Sequence, residues 1–257
     1  MTLLLTSTLN PSFFNNISSS VNDVSIRRAQ YEAALEFYLR ESPFTRIIVA
    51  ENSDMTLEEE RFHALSESLG KNMELVHCME ENPDRRKFGK SYGEAVLMHR
   101  AMEQSALLRE ADYFYKVTGR IIVRNIRAVF RDRAENCFVA YNFQEWVLTS
   151  FFKCKTDDFK RILDDAISRL FFRPPCLGPH LEHAYWTLLA EKKAEVKPFP
   201  AFPDLDGQVG GTGSSYRKSA LGRFGRTVLN TLGFFSFREK PGIRDRILSA
   251  ENRRMRR

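Results

Sequence analysis

Short apolar runs alternate with longer amphipathic stretches over the first 120 residues of the chain. Four apolar runs predict buried strands, and they lie at residues 3–5, 46–50, 73–78 and 113–117. Between them, apolar residues recur at helical spacing and predict helices at residues 26–41, 57–69 and 94–108. Ser25 is the predicted cap of the first helix, and Thr56 with Glu59 forms a capping-box pattern before the second. Strands that alternate with helices through short connections indicate a mostly parallel central sheet flanked by helices.

The second half of the chain has a less regular pattern. It predicts helices at residues 121–131, 157–170 and 180–192, with Thr156 capping the second of them, and strands at 137–142 and 149–153. Three prolines between residues 198 and 203 end this region, and the glycine-rich stretch 206–215 predicts a flexible linker. We therefore predict a single α/β domain over residues 1–205, a linker over 206–215 and a helical tail over 216–257.

The positive charge of the protein is concentrated in this tail. Residues 216–257 contain 12 Lys+Arg and 3 Asp+Glu, which leaves 27 basic and 30 acidic residues in 1–215. The tail therefore carries a net charge of +9, while the body is net −3 and the whole chain is +6. Such an asymmetry is typical of an arm that meets an acidic surface.

The tail also carries an amphipathic pattern. Apolar residues recur at helical spacing with basic residues between them, and they are Leu221, Phe224, Val228, Leu229 and Leu232. A basic amphipathic helix with neighbouring aromatic residues predicts binding to an anionic membrane surface. Nucleic-acid binding and a simple disordered tail are the alternatives. The net negative body, which contains no recognised nucleic-acid module, argues against nucleic acid.

Targeting and cysteine patterns narrow the expected compartment. The N-terminal stretch is too short and too polar for a signal peptide, and no apolar run approaches the length of a membrane span. The four cysteines are widely spaced, which predicts buried free thiols in a reducing compartment. We therefore expect a cytoplasmic protein, peripheral at the inner face of the cell membrane.

In open parallel sheets, ligands bind beyond the carboxyl ends of the strands. One such end leads into residues 87–94 (KFGKSYGE), where Lys87 and Lys90 stand beside two glycines before a predicted helix. Glycines let the backbone approach a phosphate, and amides at a helix start attract anions. The segment matches neither GxxxxGK[ST] nor GxGxxG, so a solvated basic turn is the alternative.

Two further segments carry candidate chemistry. Residues 116–120 (KVTGR) place cations and a hydroxyl at a strand end, where Arg120 can bind a diphosphate through paired hydrogen bonds. A tight turn with a surface arginine is the alternative. Glu182 or a neighbouring histidine, at the start of a predicted helix, is a candidate general base toward a hydroxyl. A helix-start carboxylate beside surface histidines is the alternative.

The order of five segments resembles a known enzyme family. They are TSTLNP (6–11), ENS (51–53), GKSYGEA (89–95), YKVTGR (115–120) and LEHAYW (181–186). Together they resemble bacterial GT-A-type glycosyltransferases of polysaccharide and lipopolysaccharide gene clusters, which are distantly similar to family 2 enzymes. The resemblance covers about residues 2–195.

The resemblance implies a GT-A-like (Rossmann-like) domain that transfers a sugar from a nucleotide-activated donor to a cell-surface glycan or lipid-linked acceptor. Capsule, O-antigen and exopolysaccharide are the glycans concerned. It implies that Glu182 and His183 lie in the catalytic segment. It also implies a set of nucleotide-sugar-binding residues: Thr8, Asn10, Glu51, Asn52, Lys87, Lys90, Tyr92, Lys116, Thr118 and Arg120. The alternative is a catalytically silent, membrane-associated partner in a polysaccharide-synthesis complex.

One departure from the family concerns the metal. The fourth strand of the family ends in Asp-x-Asp, which holds a divalent metal on the donor diphosphate. In this chain the strand ends in residues 116–120, which contain no acidic residue. Because cations can offset diphosphate charge directly, we expect transfer without a DxD-bound metal and without another cofactor. A metal bound by a different acid is the alternative.

Overall fold

The computed structural model describes residues 1–11, 22–79, 85–171, 180–208 and 214–238, except for the side chains of 85–88 and 171. The main strands are β1 (Thr2–Ser7), β2 (Arg46–Glu51), β3 (Asn72–His77) and β4 (Tyr113–Thr118). Shorter strands follow: β5 (Ile122–Val123), β6 (Asn136–Cys137), β7 (Ala140–Tyr141), β8 (Trp146–Val147), β9 (Phe151–Lys155), β10 (Val196–Lys197) and β11 (Leu205–Asp206).

A seven-stranded sheet forms the centre of the protein, in the order β10-β6-β9-β4-β1-β2-β3. The neighbours β3, β2, β1 and β4 are parallel, whereas β9 is antiparallel to both β4 and β6. The strand β10 is parallel to β6, and the pairs β5–β11 and β7–β8 form two small antiparallel sheets. The predicted α/β class with a mostly parallel sheet is confirmed.

Helices pack on the sheet and lead into its strands. The longer ones are α1 (Val24–Glu41), α2 (Glu59–Ser68), α3 (Arg85–Gln104), α8 (Leu181–Glu191) and α9 (Ala220–Thr231). The shorter ones are α4 (Ala106–Arg109), α5 (Ile126–Val129), α6 (Thr156–Asp158) and α7 (Ala166–Phe171), with a π-helical segment at Phe159–Leu163. In the described part of the chain, no helix combines the length and apolar character that a membrane span requires.

The core consists of two apolar clusters that involve opposite faces of the sheet. Leu4, Ile48 and Phe114 belong to the cluster that contains α3 and α8, whereas Leu3 and Ile47 belong to the cluster with α1. The strands β4 and β2 pair with the edges of β1 and the two clusters cover its faces, so every residue of β1 is buried. Central strands of this kind form continuous apolar runs rather than alternating patterns, which explains why the sequence predicts them well.

Several local predictions are wrong, each for a structural reason. The helix α1 is capped by Asp23, not Ser25, because the Asp23 carboxylate accepts the amides of Ser25 and Ile26. The helix α2 begins at Glu59 without a side-chain cap, so no capping box forms. Thr156 donates its hydroxyl hydrogen to the carbonyl oxygen of Ala111 instead of capping a helix.

Larger differences occur where distant residues pair. The predicted helix over 121–131 is replaced by β5 and α5, because β5 pairs with β11 some 80 residues later in the chain. The predicted strand 137–142 divides between β6 and β7, which belong to different sheets. The predicted basic loop over 87–94 lies inside α3, which Gly89 interrupts with a positive φ of 76°. The π-helical segment interrupts the helix predicted over 157–170.

The predicted tail helix is present as α9, and the segment that follows it is hydrogen-bonded to β7 and the residue after it. Asn142 donates from Nδ2 to the carbonyl oxygen of Ser236, and the amide of Ala140 donates to that of Phe235. The predicted linker is partly ordered, because β11 contains its first residue and a bridge joins Gln208 to Ser215. Residues 209–213 and 239–257 lie outside the described part of the chain.

Candidate functional site

The loops after β1 and β2 meet at the carboxyl edge of the sheet through Glu51. This carboxylate is 2% exposed and accepts the amides of Leu9, at 3.0 Å, and Ser53, at 2.8 Å. Amide donors satisfy a buried carboxylate and fix the loop that supplies them. Glu51 therefore holds the segment that follows β1 against the end of β2.

Four of the residues predicted to bind the nucleotide sugar lie together at this edge, and they are Thr8, Asn10, Glu51 and Asn52. Thr8 donates from its hydroxyl to Asn52 Oδ1 at 2.8 Å, and the amide of Asn10 donates to Ser53 Oγ at 3.1 Å. Asn10 also donates from Nδ2 to the Asp54 carboxylate at 2.9 Å. The resulting polar rim joins two parallel strands.

Two residues of α1 complete this region, and the sequence analysis did not identify them. Arg27 donates from Nε to the carbonyl oxygen of Thr8 at 2.9 Å and from Nη2 to the Tyr31 hydroxyl at 3.2 Å. The Tyr31 hydroxyl also accepts the amide of Thr8 at 3.1 Å. Arg27 is 4% exposed, so α1 presents a buried guanidinium to the strand ends.

Arg120 reaches the same ring from the end of β4. Its guanidinium carbon lies 5.9 Å from the centre of the Tyr31 ring, and that of Arg27 lies 5.6 Å away. Arg120 is 7% exposed and donates from Nη1 to Gln30 Oε1 at 3.1 Å. Its Nε is buried and has no hydrogen-bond partner among the described residues. A buried donor without a partner is costly unless a ligand accepts its hydrogen.

Lys90 adds a third cation near these two guanidinium groups. Burial lowers the pKa of Lys90, and the positive charges of Arg27 and Arg120 lower it further. Burial also lowers the pKa of Arg27, and the charge of Arg120 acts in the same direction. We call Arg27, Lys90 and Arg120 the cation cluster. Cations that destabilise one another's charge favour the binding of an anion between them.

The end of β4 does not fit a divalent metal. The side chains there are a lysine, a threonine and an arginine, whereas such metals prefer carboxylate, carbonyl and water oxygens. The described residues contain no group of three or more His, Cys, Asp or Glu side chains that could hold a metal ion. This set of donors matches a phosphate or carboxylate anion instead.

Lys116 occupies the other side of the β4 end. Its side chain is 1% exposed and forms an ion pair with Glu94 of α3. Its Nζ also donates to Thr118 Oγ1 at 3.1 Å and to the carbonyl oxygen of Thr149 at 2.8 Å. Lys116 therefore connects α3, β4 and the segment that precedes β9.

The predicted catalytic segment lies next to this connection. Glu182, in the first turn of α8, accepts a hydrogen bond from the Thr149 hydroxyl at 2.8 Å. His183 donates from Nδ1 to the carbonyl oxygen of Glu145 at 2.9 Å. Tyr216 lies close enough that the Glu182 and Glu94 carboxylates contribute to raising its pKa, although burial is the larger cause. The structure therefore brings Thr118, Lys116 and Glu182 to one edge of the sheet.

Two of the predicted residues lie elsewhere or cannot be described. Tyr92 is buried in the apolar cluster with Ala95 and Val96. The side chain of Lys87 lies outside the described part of the chain.

The sequence did contain a signal for Arg27, which the prediction missed. Arg27 precedes Tyr31 by four residues and Tyr38 by eleven, so helical spacing places all three on the same buried face of α1.

No protein-family model matches the sequence, and no characterised protein was found to be similar to it in sequence. Several solved structures share part of its architecture. A nucleoside-diphosphate-sugar pyrophosphorylase from Vibrio cholerae RC9 has a TM-score of 0.45 at 10% identity, covering 77% of this chain and 91% of that chain. A candidate nucleotide-diphospho-sugar transferase from Desulfovibrio desulfuricans G20 has a TM-score of 0.46 at 11% identity, covering 77% of this chain and 78% of that chain. The galactosyltransferase LgtC, in complex with donor and acceptor sugar analogs, has a TM-score of 0.43 at 10% identity, covering 77% of this chain and 73% of that chain.

Proposed function

We propose that this protein is a glycosyltransferase that uses a nucleotide-activated sugar, of the GT-A type found in bacterial polysaccharide gene clusters. The observation that carries the proposal is the cation cluster at the carboxyl edge of a parallel sheet. Ligands of such sheets bind at this edge, and the buried Arg120 Nε has a hydrogen to donate. The order of the five sequence segments supports the same assignment.

The cation cluster is the proposed binding site for the donor diphosphate. Arg120 presents a planar guanidinium that can pair with two phosphate oxygens, and Lys90 adds a point charge. At 4 Å, one such pair of unit charges interacts by about 4 kcal/mol at an effective dielectric constant of 20. The cluster would thus stabilise the charge that develops on the leaving nucleoside diphosphate without a DxD-bound metal.

Thr8, Asn10, Asn52 and the loop held by Glu51 are the proposed contacts of the nucleoside. Their side chains form the rim next to the cation cluster, where Thr8 is hydrogen-bonded to Asn52 and Asn10 to Asp54. Amide and hydroxyl groups of this kind suit the edges of a base or a ribose. A nucleoside at this rim would place its diphosphate toward Arg27 and Arg120.

Glu182 is the proposed general base. It would accept the proton of the acceptor hydroxyl as the acceptor oxygen forms a bond to the anomeric carbon of the donor. The bond between that carbon and the phosphate oxygen breaks, and the leaving nucleoside diphosphate takes the electron pair. Thr118, whose hydroxyl accepts a hydrogen bond from Lys116, precedes Arg120 of the cation cluster by two residues.

An anionic membrane surface is the proposed location of the acceptor. The helix α9 exposes Leu221 to 81%, and Phe224, Leu232 and Phe234 are exposed as well. The hairpin tip residue Phe143 is 93% exposed, and its hairpin is hydrogen-bonded to the segment after α9. Along the chain, the basic residues Lys218, Arg223 and Arg226 alternate with the apolar residues of α9. A surface of this kind suits peripheral binding at the cytoplasmic, inner face of the cell membrane.

A catalytically silent assembly partner is the second candidate, because the same site could bind a nucleotide without transfer. A thermal-shift screen of the full chain against common nucleotide sugars tests the first step. A ligand at 100 times its Kd stabilises by about 2.7 kcal/mol, which is a measurable shift. Any stabilising donor is then assayed for transfer to lipid-linked acceptors and for donor hydrolysis. Binding without either reaction favours the silent partner, and no binding to any nucleotide sugar contradicts both.

A further inference from the structure

We infer that Lys116 and Thr149 position the carboxylate of Glu182, so that the lysine at the end of β4 serves the acceptor half of the reaction. This inference rests on the proposed role of Glu182 as general base. It assigns Lys116 and Thr149 as positioning residues, because each acts through another side chain rather than on a substrate.

All three hydrogens of the Lys116 ammonium have acceptors within the protein. They point to the Glu94 carboxylate, to Thr118 Oγ1 at 3.1 Å and to the carbonyl oxygen of Thr149 at 2.8 Å. An ammonium group has three hydrogens to donate and accepts none. With its side chain 1% exposed, Lys116 could contact a phosphate only by giving up one of these bonds.

Thr149 connects Lys116 to Glu182 through two hydrogen bonds. Its backbone carbonyl accepts from Lys116, and its hydroxyl donates to Glu182 Oε1 at 2.8 Å. The two bonds use different groups of one buried residue, so Lys116 holds the backbone from which the Thr149 hydroxyl reaches Glu182. One carboxylate oxygen of Glu182 is thereby held, and no described residue donates a hydrogen bond to Oε2.

This arrangement affects the geometry of the base. A base that must meet a hydroxyl within hydrogen-bonding reach loses rate steeply when it is displaced by about 1 Å. Thr149 would therefore keep the Glu182 carboxylate oriented toward the acceptor hydroxyl.

Other charged and titratable groups surround Glu182, and they include Glu94 on α3, Lys116 on β4, Tyr185 on α8 and Tyr216 at the start of the tail. Burial, together with the Glu94 and Glu182 carboxylates, raises the pKa of Tyr185 and that of Tyr216. Both tyrosines are therefore uncharged neighbours of Glu182.

The test compares Thr149→Val, Thr149→Ser and Glu182→Gln in the transfer assay with the full chain. Valine keeps the shape of threonine and removes the hydroxyl, so we expect kcat to fall about 10-fold or more while KM for the donor is unchanged. Serine should rescue kcat. Unchanged kcat, or a raised KM for the donor with kcat retained, would overturn the inference.

A second variant addresses Lys116 itself. Lys116→Met alone would leave the Glu94 carboxylate without its cation, so the double variant Glu94→Gln/Lys116→Met removes both charges together. We expect reduced kcat with nucleoside diphosphate affinity retained. Loss of that affinity would assign Lys116 to the diphosphate and overturn the inference. If Glu182→Gln keeps full turnover, the proposed base itself is wrong. If it loses turnover while Thr149→Val does not, only the positioning role fails.

Discussion

The amide of Gly119 donates a hydrogen bond to the carbonyl oxygen of Thr6 at 2.9 Å, directly beyond the paired part of β4 and β1. A Cβ atom at Gly119 would lie 2.9 Å from that same oxygen and 3.0 Å from Cδ1 of Tyr31. The main chain therefore passes closer to the rim than any other residue type allows. This close approach brings Arg120 to the ring that Arg27 also contacts.

Gly119→Ala should destabilise the protein and weaken donor binding together. Overpacking of this kind costs about 1–3 kcal/mol, measured as the free energy of unfolding in urea. Gly225→Ala is the matched control, because nothing lies within 4 Å of its added Cβ in α9. We expect that control to stabilise by about 0.5–1 kcal/mol, since alanine favours the helix. A Gly119→Ala protein as stable as the wild type would contradict the close approach.

Arg120→Ala should weaken binding of a nucleoside diphosphate about 10-fold to 100-fold, measured by calorimetry. Hydrogen bonds to charged groups contribute about 1.5–3 kcal/mol, and the Arg120 guanidinium is buried at the proposed diphosphate site. Arg120→Lys should restore part of the affinity, because lysine keeps the charge but loses the planar fork. Arg40→Ala removes an exposed arginine from the ion pair with Glu36 and serves as the control. Equal affinities for Arg120→Ala and Arg40→Ala would exclude this site for the diphosphate.

As the pH is raised, donor affinity should decline at a lower pH than it would if Lys90 had the pKa of an ordinary lysine. Burial and the charges of Arg27 and Arg120 lower the pKa of Lys90 in the free protein, and a bound diphosphate raises it again. The affinity is therefore fully present below the pKa of the free protein and is lost as the pH rises toward that of the complex. Lys90→Arg keeps its charge and should give a profile that stays flat to higher pH. The same decline in both proteins would rule out Lys90 as its cause.

Transfer should persist in EDTA. The end of β4 carries cations where a metal-binding acid pair would be expected, so chelation removes nothing that the proposed donor site requires. The measurement is the initial rate before and after dialysis against EDTA, with a DxD-containing glycosyltransferase treated alongside as the positive control. Loss of activity that Mn²⁺ or Mg²⁺ restores would contradict transfer without a metal.

Replacement of Leu221, Phe224 and Leu232 by serine should abolish flotation with anionic liposomes. These side chains form the exposed apolar face of α9 and its end, next to basic residues that each contribute about 1 kcal/mol near an anionic surface. Ile26→Ser, an exposed apolar residue of α1, is the control outside the tail. Binding should also weaken with salt and with neutral lipids. Unchanged flotation of the triple variant would remove the membrane role of this face.

The sheet could be predicted from the sequence because its central strands are local apolar runs. Leu3, Ile47 and Phe114 each belong to such a run and are fully buried in the structure. A strand covered on both faces is apolar along its length, so the run alone is enough to locate it. The pairing of β5 with β11 could not be predicted, because its partners lie some 80 residues apart and both strands contain two residues. Tertiary pairing overrides the helical pattern of residues 121–131 there.

The candidate site could be predicted in part for the same reason. Residues that directly follow predicted strands, such as Thr8, Asn52 and Arg120, can be placed at one edge by topology alone. Arg27 could not be found in this way, because a helix brings it to that edge. The environment of Lys116 depends on Glu94 and Thr149, which are 22 and 33 residues distant along the chain. A sequence pattern shows a lysine at a strand end but not which acceptors surround it.

The antiparallel direction of β9 divides the site between two parts of the chain. Because β9 runs against β4, Ser150 accepts the amide of Thr118, and the residues that begin β9 stand where β4 ends. The groups assigned to the donor all lie before residue 121, whereas Thr149, Glu182 and Tyr216 lie after 148. Recombination between related chains near residue 121 would therefore keep the proposed donor groups together, but it would replace Thr149 and Glu182 while retaining Lys116, which is hydrogen-bonded to Thr149.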